Sequence, residues 1–264
     1  MRKLSGMAGG AAAVAALLLS GCASGGPDAG STKPGHAAPQ TLTVYAATSL
    51  TATFDKLGDA FEKANPGVTV RFTYNGTSTL VTQLSQGAPA DVLASADEKN
   101  MANAVGQKLI AGTPVDFATN VLEIATAPGN PKDITGWADL AKAGVKVDVC
   151  ADGVPCGNAT RAVEKATGTH LAPISEEQNV GDVLAKVESG DADAGVVYVT
   201  DVRSAGSKVT GVPFPEARQA VNTYPIAATS SSKNAALAKR FITYVTGDEG
   251  QKLLADAGFG APPK

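Results

Sequence analysis

Residues 45–50, Tyr-Ala-Ala-Thr-Ser-Leu, decide the fold because they join a strand pattern to a helix pattern. A short apolar run with Leu42 and Val44 precedes them and is typical of a buried strand. Apolar residues at helical spacing follow: Leu50, Phe54, Leu57 and Phe61. Ser49 therefore falls where the N-cap residue of a helix is expected.

A strand-to-helix turn of this kind can bind an anion. Hydroxyl and backbone N–H groups point out of the sheet together, and the helix dipole adds a partial positive charge. Taken alone, the turn fits an ordinary capped helix equally well. Three later turns repeat the construction, at residues 74–80, 151–158 and 179–181. In the second of them Thr77 or Ser78 is the expected cap. The repetition favours an anion site built from several helix starts.

Composition narrows the class of protein. The chain has 264 residues, of which 44% are hydrophobic and 18% charged, as in an ordinary soluble globule with an ample core. Its formal net charge is −3, and no block of Lys or Arg alternates with aromatics, so nucleic acid is not expected as a partner. Aromatic residues make up only 5% of the chain, which argues against a stacking platform for sugars or bases.

The N-terminus has the pattern of an export signal. Basic residues precede the apolar run 11–19, and residues 19–22, Leu-Ser-Gly-Cys, are similar to a bacterial lipobox. The run is too short to span a bilayer as a helix. We therefore predict a signal peptide over residues 1–21 and lipidation of Cys22. A chain processed in this way is extracytoplasmic and anchored by lipid to the outer face of the cell membrane.

Residues 22–40 are rich in Gly, Pro, Ser and Ala and predict a flexible tether. From Thr41 onward, short apolar strands alternate with amphipathic helices, which predicts an α/β fold with largely parallel sheets. Among individual elements, the pattern predicts a helix over residues 101–109, one strand over 119–125 and a helix over 134–141.

Five motifs together resemble the molybdate-binding proteins of bacterial ABC transporters, the ModA family. They are YAATSLT (45–51), NGTSTL (75–80), QGAPADVLASAD (86–97), VPCG (154–157) and GVVY (195–198). The resemblance implies the type II periplasmic-binding-protein fold, in which two lobes, each a mostly parallel sheet flanked by helices, close on a ligand in the cleft between them. Lobe I is expected to comprise 41–119 plus 224–264, and lobe II 120–223.

The same resemblance implies a set of ligand contacts: Ser49, Thr77, Cys156, Val180 and Tyr198. Thr77 stands where the family has a serine and keeps the hydroxyl, with Ser78 as the alternative. Cys156 and Val180 are expected to offer backbone N–H groups, and Tyr198 its phenol.

The implied function is that of a receptor, expected to be monomeric and without cofactor, which captures molybdate or tungstate and delivers it to an ABC permease. The four turns place no Asp or Glu at a ligand position, although Asp152 is close, so we expect phosphate to be excluded. Sulfate has to be rejected mostly by size. Two alternatives stay open: a receptor for another tetrahedral oxyanion, namely sulfate, phosphate or tungstate alone, and a surface lipoprotein without a small-molecule ligand.

Cys150 and Cys156 allow two interpretations. Together with His170 they are three candidate metal ligands, but no fourth ligand is evident. In an exported protein such a pair more often forms a disulfide. A disulfide here closes a short loop, which contributes only about 2 kcal/mol, so we expect it to rigidify the loop that presents the Cys156 N–H.

Catalysis is the other class of function to weigh. A nucleophilic Ser49 requires a base, yet His170 is the one histidine outside the predicted tether, which holds His36. Neither a G-x-S-x-G elbow nor an S-x-x-K pairing surrounds Ser49. The sequence therefore predicts binding without turnover.

Overall fold

The computed structural model describes residues 39–263. The predicted signal peptide, the lipidation site Cys22 and the tether up to residue 38 lie outside this range. Gln40, predicted as the last tether residue, is instead the first residue of a strand, because its N–H donates to Gly67 O at 2.9 Å. None of the helices between residues 39 and 263 combines the length and apolar character that a membrane crossing requires.

Ten strands and eight α-helices alternate along the described residues. The strands are β1 (Gln40–Ala47), β2 (Val68–Asn75), β3 (Val92–Ala94), β4 (Ile110–Asn120), β5 (Leu122–Thr126), β6 (Val147–Cys150), β7 (Ser175–Glu177), β8 (Ala194–Tyr198), β9 (Thr210–Val212) and β10 (Asn222–Thr229). The α-helices are α1 (Thr51–Ala64), α2 (Thr77–Ser85), α3 (Glu98–Gly106), α4 (Pro155–Thr167), α5 (Val180–Ser189), α6 (Val199–Ala205), α7 (Ala235–Thr246) and α8 (Asp248–Ala257). Short 3-10 turns cover Thr48–Leu50, Trp137–Ala141, Gly206–Lys208 and Pro215–Gln219.

The strands form two sheets of five. Sheet 1 has the order β2-β1-β3-β10-β4, and only β10 runs antiparallel to its neighbours. Sheet 2 has the order β7-β6-β8-β5-β9, and only β5 runs antiparallel to its neighbours. Both sheets are thus mostly parallel and flanked by helices, as predicted. We refer to residues 40–120 and 222–257 as the sheet 1 half, and to residues 122–219 as the sheet 2 half.

Each half has its own apolar core. In the sheet 1 half, the apolar face of α1 packs Phe54 and Phe61 against Phe241 of α7, with ring centroids 6.3 and 5.2 Å apart. In the sheet 2 half, Trp137 is buried and stacks on Phe214 at 5.3 Å. The parallel strands β1 and β8 are buried along most of their length, because helices cover both faces of each sheet.

The prediction of one strand over 119–125 is wrong. The segment is divided between β4 of sheet 1 and β5 of sheet 2, with Val121 at the break. The Val121 N–H donates to Asn120 Oδ1 at 3.0 Å, so a side chain replaces the ladder bond where the chain changes sheets. The chain returns to sheet 1 at Asn222. These strand ends neighbour the predicted lobe boundaries at 119/120 and 223/224, which stay a prediction.

Two other predicted elements differ in position or type. The helix predicted over 101–109 is α3, which begins at Glu98 because Asp97 Oδ1 accepts the N–H of Asn100 at 2.9 Å. It ends at Gly106, shortly before β4. The helix predicted over 134–141 is only a 3-10 turn over Trp137–Ala141.

Candidate anion-binding site

Four helix starts converge on one small buried cavity. The 3-10 turn before α1 and the start of α2 come from the sheet 1 half, and the starts of α4 and α5 come from the sheet 2 half. The lining residues are Ala47, Thr48, Ser49, Gly76, Thr77, Ala96, Val154, Pro155, Cys156, Val180 and Tyr198. None of these residues carries a formal charge, so polarity in the cavity comes from hydroxyl groups and backbone dipoles.

All five residues predicted to contact a ligand line this cavity. The alternative residue, Ser78, is not among the lining residues and is half-buried, whereas Thr77 is fully buried. Asp152 is exposed and does not line the cavity either.

The helix starts differ from the predicted capping. Ser49 is not an N-cap, because it lies within a 3-10 turn whose N-cap is Ala47, and the N-cap of α2 is Gly76 rather than Thr77 or Ser78. Ala47, Gly76 and Val154 make no side-chain cap, whereas Asn179 accepts the N–H of Asp182 at the start of α5. First-turn N–H groups have no partner within their own helix. Three of the four helix starts therefore leave such groups without a side-chain acceptor.

Ser49 belongs to a buried hydrogen-bond network that reaches the sheet 2 half. Ser49 Oγ lies 3.0 Å from Tyr224 Oη, and either hydroxyl can donate. Asn120 Nδ2 donates to Thr200 Oγ1 at 2.8 Å and to Tyr224 Oη at 3.4 Å. Because Tyr224 accepts from Asn120, its own proton is available for Ser49, which leaves the Ser49 proton free for a ligand.

Asn120 and Tyr224 were not predicted as site residues. A signal for both was present, because they carry polar groups and lie next to the predicted lobe boundaries.

Thr77 is oriented in a similar way. Its Oγ1 accepts the N–H of Ala96 at 3.1 Å, in the loop after β3. An accepted bond occupies a lone pair and leaves the hydroxyl proton to donate elsewhere. Thr77 is fully buried at the cavity wall, so a ligand oxygen in the cavity is within its reach.

Two hydroxyl groups at the cavity have no hydrogen-bond partner among the residues that the structure describes, Tyr198 Oη and Thr48 Oγ1. Tyr198 is 1% exposed, and burial raises the pKa of its phenol well above the ordinary value, with smaller contributions from Tyr224, Asp97 and Asp201. The phenol is therefore neutral and can donate. Thr48 was not among the predicted contacts, although it directly precedes Ser49 in the same turn.

A disulfide joins Cys150 at the end of β6 to Cys156 in the first turn of α4, with the Cα atoms 5.6 Å apart. Both cysteines are buried, and a Cβ added at Gly157 would lie 1.9 Å from Ala151 O, so the backbone around the bridge is closely packed. The alternative metal site gains no support: His170 is exposed, and within residues 39–263 no three His, Cys, Asp or Glu side chains cluster as metal ligands.

The two halves touch at the rim of the cavity. A Cβ added at Gly76 would lie 2.1 Å from Gln178 O in the opposite half, and one at Gly181 would lie 2.8 Å from Thr48 Cγ2. Asn158 Nδ2 of the sheet 2 half also donates to Asp97 Oδ2 of the sheet 1 half at 2.8 Å. The cavity is therefore enclosed by direct contacts between the halves.

Comparison with known proteins agrees with this geometry. Residues 42–260 match the family model described as bacterial extracellular solute-binding protein. Over 252 residues, 94% of this chain and 96% of the relative, the chain is 47% identical to the molybdate-binding protein ModA of Mycobacterium tuberculosis (strain H37Rv). Its identity to ModA of Escherichia coli (strain K12) is 33% over 229 residues, 83% of this chain and 88% of the relative.

A solved structure shares the fold as well. The periplasmic molybdate-binding protein of Azotobacter vinelandii superposes with a TM-score of 0.75 at 26% sequence identity, covering 84% of this chain and all of that one. The family match spans both sheets and all four helix starts of the cavity. The chain therefore belongs to the bacterial extracellular solute-binding proteins and, among them, to the ModA family.

Proposed function

We propose that the chain is an extracytoplasmic receptor that binds molybdate, and also tungstate, in the cavity between its two halves. The observation that carries this proposal is an enclosed cavity with no charged lining residue, on which four helix starts and the unpartnered hydroxyl of Tyr198 converge. The names of the relatives support the choice of molybdate among oxyanions.

Neutral donors are sufficient to bind a dianion. An oxyanion that enters the cavity loses its hydration, and each charge-assisted hydrogen bond returns about 1.5–3 kcal/mol. We assign donors on both halves: the hydroxyls of Ser49 and Thr77, the backbone N–H groups of Cys156 and Val180, and the phenol of Tyr198. Helix starts add their dipoles at the positions of Ser49, Thr77, Cys156 and Val180. Thr48 joins this set because its unpartnered Oγ1 lies at the same wall.

The donor set also selects among anions. Hydrogen phosphate carries a proton that requires an acceptor, and no carboxylate lines the cavity. Sulfate has the shape and charge of molybdate but is smaller, so we expect it to be rejected mostly by size. Tungstate is nearly isosteric with molybdate, and we expect both to bind.

We propose binding without turnover. The Ser49 hydroxyl contacts the phenol of Tyr224, whose pKa is raised by burial, rather than a histidine or carboxylate that can take its proton at neutral pH. The site accordingly binds its ligand and passes it on unchanged.

Delivery needs a membrane partner. We propose that the receptor acts as a monomer, is held to the outer face of the membrane by lipid on Cys22, and passes its ligand to the permease of an ABC transporter. The family supports the transport role. The lobe boundaries at 119/120 and 223/224 are part of the same proposal, since they allow the halves to open for release.

Thermal unfolding of the purified protein with molybdate, tungstate, sulfate or phosphate tests the proposal. A ligand at about a thousand times its dissociation constant stabilises the native state by about 4 kcal/mol, which appears as a rise in Tm. We expect a rise with molybdate and tungstate only. A rise with sulfate or phosphate alone would favour a receptor for another oxyanion, and no rise with any of the four would favour a surface lipoprotein.

A further inference from the structure

A cleft that is larger than the buried cavity adjoins it. It encloses about 1060 Å³, part of it open to solvent, and is lined by residues of both halves. Thr48 and Ser49 line this cleft as well as the cavity, so the 3-10 turn that carries them separates the two spaces. A ligand that enters through the cleft reaches the anion site after passing this turn.

The cleft carries one cation from each half. Lys56 lies on α1 and Arg203 on α6, and both side chains line the cleft and belong to exposed residues. Within residues 39–263, neither forms an ion pair shorter than 4.0 Å. Burial raises the pKa of Glu123 and the nearby Arg203 guanidinium opposes this shift, but Glu123 does not line the cleft. Both positive charges are thus available at the cleft surface.

The two carboxylates of the cleft oppose these cations only weakly. Asp256 is paired with Lys252 at 2.7 Å. Asp201 is 8% exposed and accepts the N–H of Tyr198 at 2.9 Å, while burial raises its pKa to about 7. The lining residues alone are formally neutral, but Lys252 beside Asp256 adds a third cation, so the local charge is positive although the whole chain has a formal charge of −3.

We propose that Lys56 and Arg203 form an outer docking point for a tetrahedral dianion and accelerate its entry into the cavity. This inference rests on the proposed function, since it concerns the same ligand. A dianion approaching an acidic protein is repelled at long range, and a cleft lined by positive charge reverses that repulsion locally. Steering of this kind increases the association rate, weakens with ionic strength, and leaves the dissociation rate of the enclosed ligand unchanged.

Arg203 has a second contact that the test must separate from steering. Its guanidinium lies against Gly258, which directly follows α8 of the sheet 1 half; a Cβ added there would meet Arg203 Cδ and Nη1 at 2.8 Å. If this contact only helps to hold the halves together, loss of Arg203 will increase the dissociation rate, and salt will not modulate the effect.

The test is stopped-flow measurement of the rates at which molybdate associates and dissociates. It compares the wild-type protein with K56Q, R203Q and the double variant. Lys63→Gln on α1 and Arg218→Gln in the sheet 2 half are matched controls, because they remove the same charges at exposed positions away from the cleft. Arg203→Lys keeps the charge and should restore association.

We expect the double variant to associate about 10-fold more slowly at low ionic strength, with its dissociation rate within about twofold of wild type and the difference lost near 1 M salt. Equal association rates in the double variant and wild type, equal slowing in the controls, or a change confined to dissociation would overturn the inference while leaving molybdate binding intact. Failure of the wild-type protein to bind molybdate would overturn the proposed function as well.

Discussion

The two walls of the anion cavity are built differently. On the sheet 1 wall, the hydroxyls of Ser49 and Thr77 are already oriented by Tyr224 and by the Ala96 N–H. On the sheet 2 wall, Cys156 and Val180 present backbone groups, and the Tyr198 phenol has no partner in the described chain. The sheet 1 wall is thus preorganised by side-chain bonds, whereas the sheet 2 wall depends on a disulfide for rigidity and on the ligand to satisfy its phenol.

A substitution that keeps the two walls apart should have the largest effect on molybdate affinity. Gly76→Ala places a Cβ 2.1 Å from Gln178 O of the opposite half, at a φ of −58° that alanine adopts without strain. The sheet 1 half therefore folds, but the cavity cannot close. We expect molybdate affinity by calorimetry to fall at least about 100-fold, or about 2.8 kcal/mol. Gly106→Ala, which meets no atom within 4 Å, is the control and should bind as wild type.

Removing the unpartnered phenol tests whether the sheet 2 wall depends on the ligand to satisfy this group. Tyr198→Phe deletes a group that no described residue satisfies, so the ligand-free protein should keep its Tm or gain slightly. Molybdate affinity should fall about 10- to 100-fold, because a charge-assisted bond is lost. A ligand-free Tm several degrees below wild type would show that the hydroxyl already has a structural role.

On the opposite wall, Ser49→Ala should lower both the affinity for molybdate and the stability of the ligand-free protein. The substitution removes a ligand donor and also the bond to Tyr224. We expect about 10-fold weaker binding together with a loss of about 1 kcal/mol of unfolding free energy, measured by urea denaturation. If stability is unchanged, the Ser49–Tyr224 bond does not orient the hydroxyl, and the contrast between the walls disappears.

Removal of the disulfide tests whether it makes the sheet 2 wall rigid. Replacing both Cys150 and Cys156 by Ala should cost about 2 kcal/mol of stability, since the bridge closes a loop with a sequence separation of only 6. If the bridge preorganises the Cys156 N–H, molybdate affinity should also fall about threefold. Unchanged affinity at reduced stability would limit the bridge to a structural role.

The smallest expected effect is a change in Tm when the buried carboxylate of either half is replaced. Asp148 on β6 is fully buried, neither of its oxygens has a hydrogen-bond partner in the described chain, and Lys186 Nζ is 3.9 Å away. Burial, with Glu177 and Asp182 adding to it against Lys186, raises the pKa of Asp148 from 3.8 to about 6. In the sheet 1 half, Asp91 accepts bonds from Thr43 N–H at 2.9 Å and Ser232 Oγ at 2.7 Å.

Because the folded pKa of Asp148 lies above the unfolded value, ionisation destabilises the fold progressively as the pH rises from about 4 to about 6, and the penalty is constant above that. Asp148→Asn should therefore raise Tm by about 2–4 °C near pH 8 and leave it unchanged near pH 4. Asp91→Asn should lower Tm near pH 8, because it weakens two satisfied bonds. A lower Tm for Asp148→Asn near pH 8 would contradict this assignment.

Much of the fold was predictable because its signals are local. The alternation of apolar strands and amphipathic helices predicted an α/β fold with largely parallel sheets, and β1 lies where the apolar run with Leu42 and Val44 placed it. The break between β4 and β5 was not predictable, because residues 119–125 contain no Gly or Pro that would mark Val121 as the point between two sheets. The caps were misassigned for a related reason: Ser49 and Thr77 have the composition of N-caps, but their hydroxyls bond to Tyr224 and Ala96, which are distant in sequence.

The sequence by itself determined which groups were available: repeated strand-to-helix turns, hydroxyls without nearby carboxylates, and a cysteine pair at the third turn. Only the tertiary structure decided that these groups share one cavity, that Thr77 and not Ser78 faces it, and that Asn120 and Tyr224 join the two halves behind Ser49. The physical reason is that residue type and spacing specify local geometry and hydrogen-bonding capacity. Which donor remains free depends on partners far away in the sequence, and only packing brings them together.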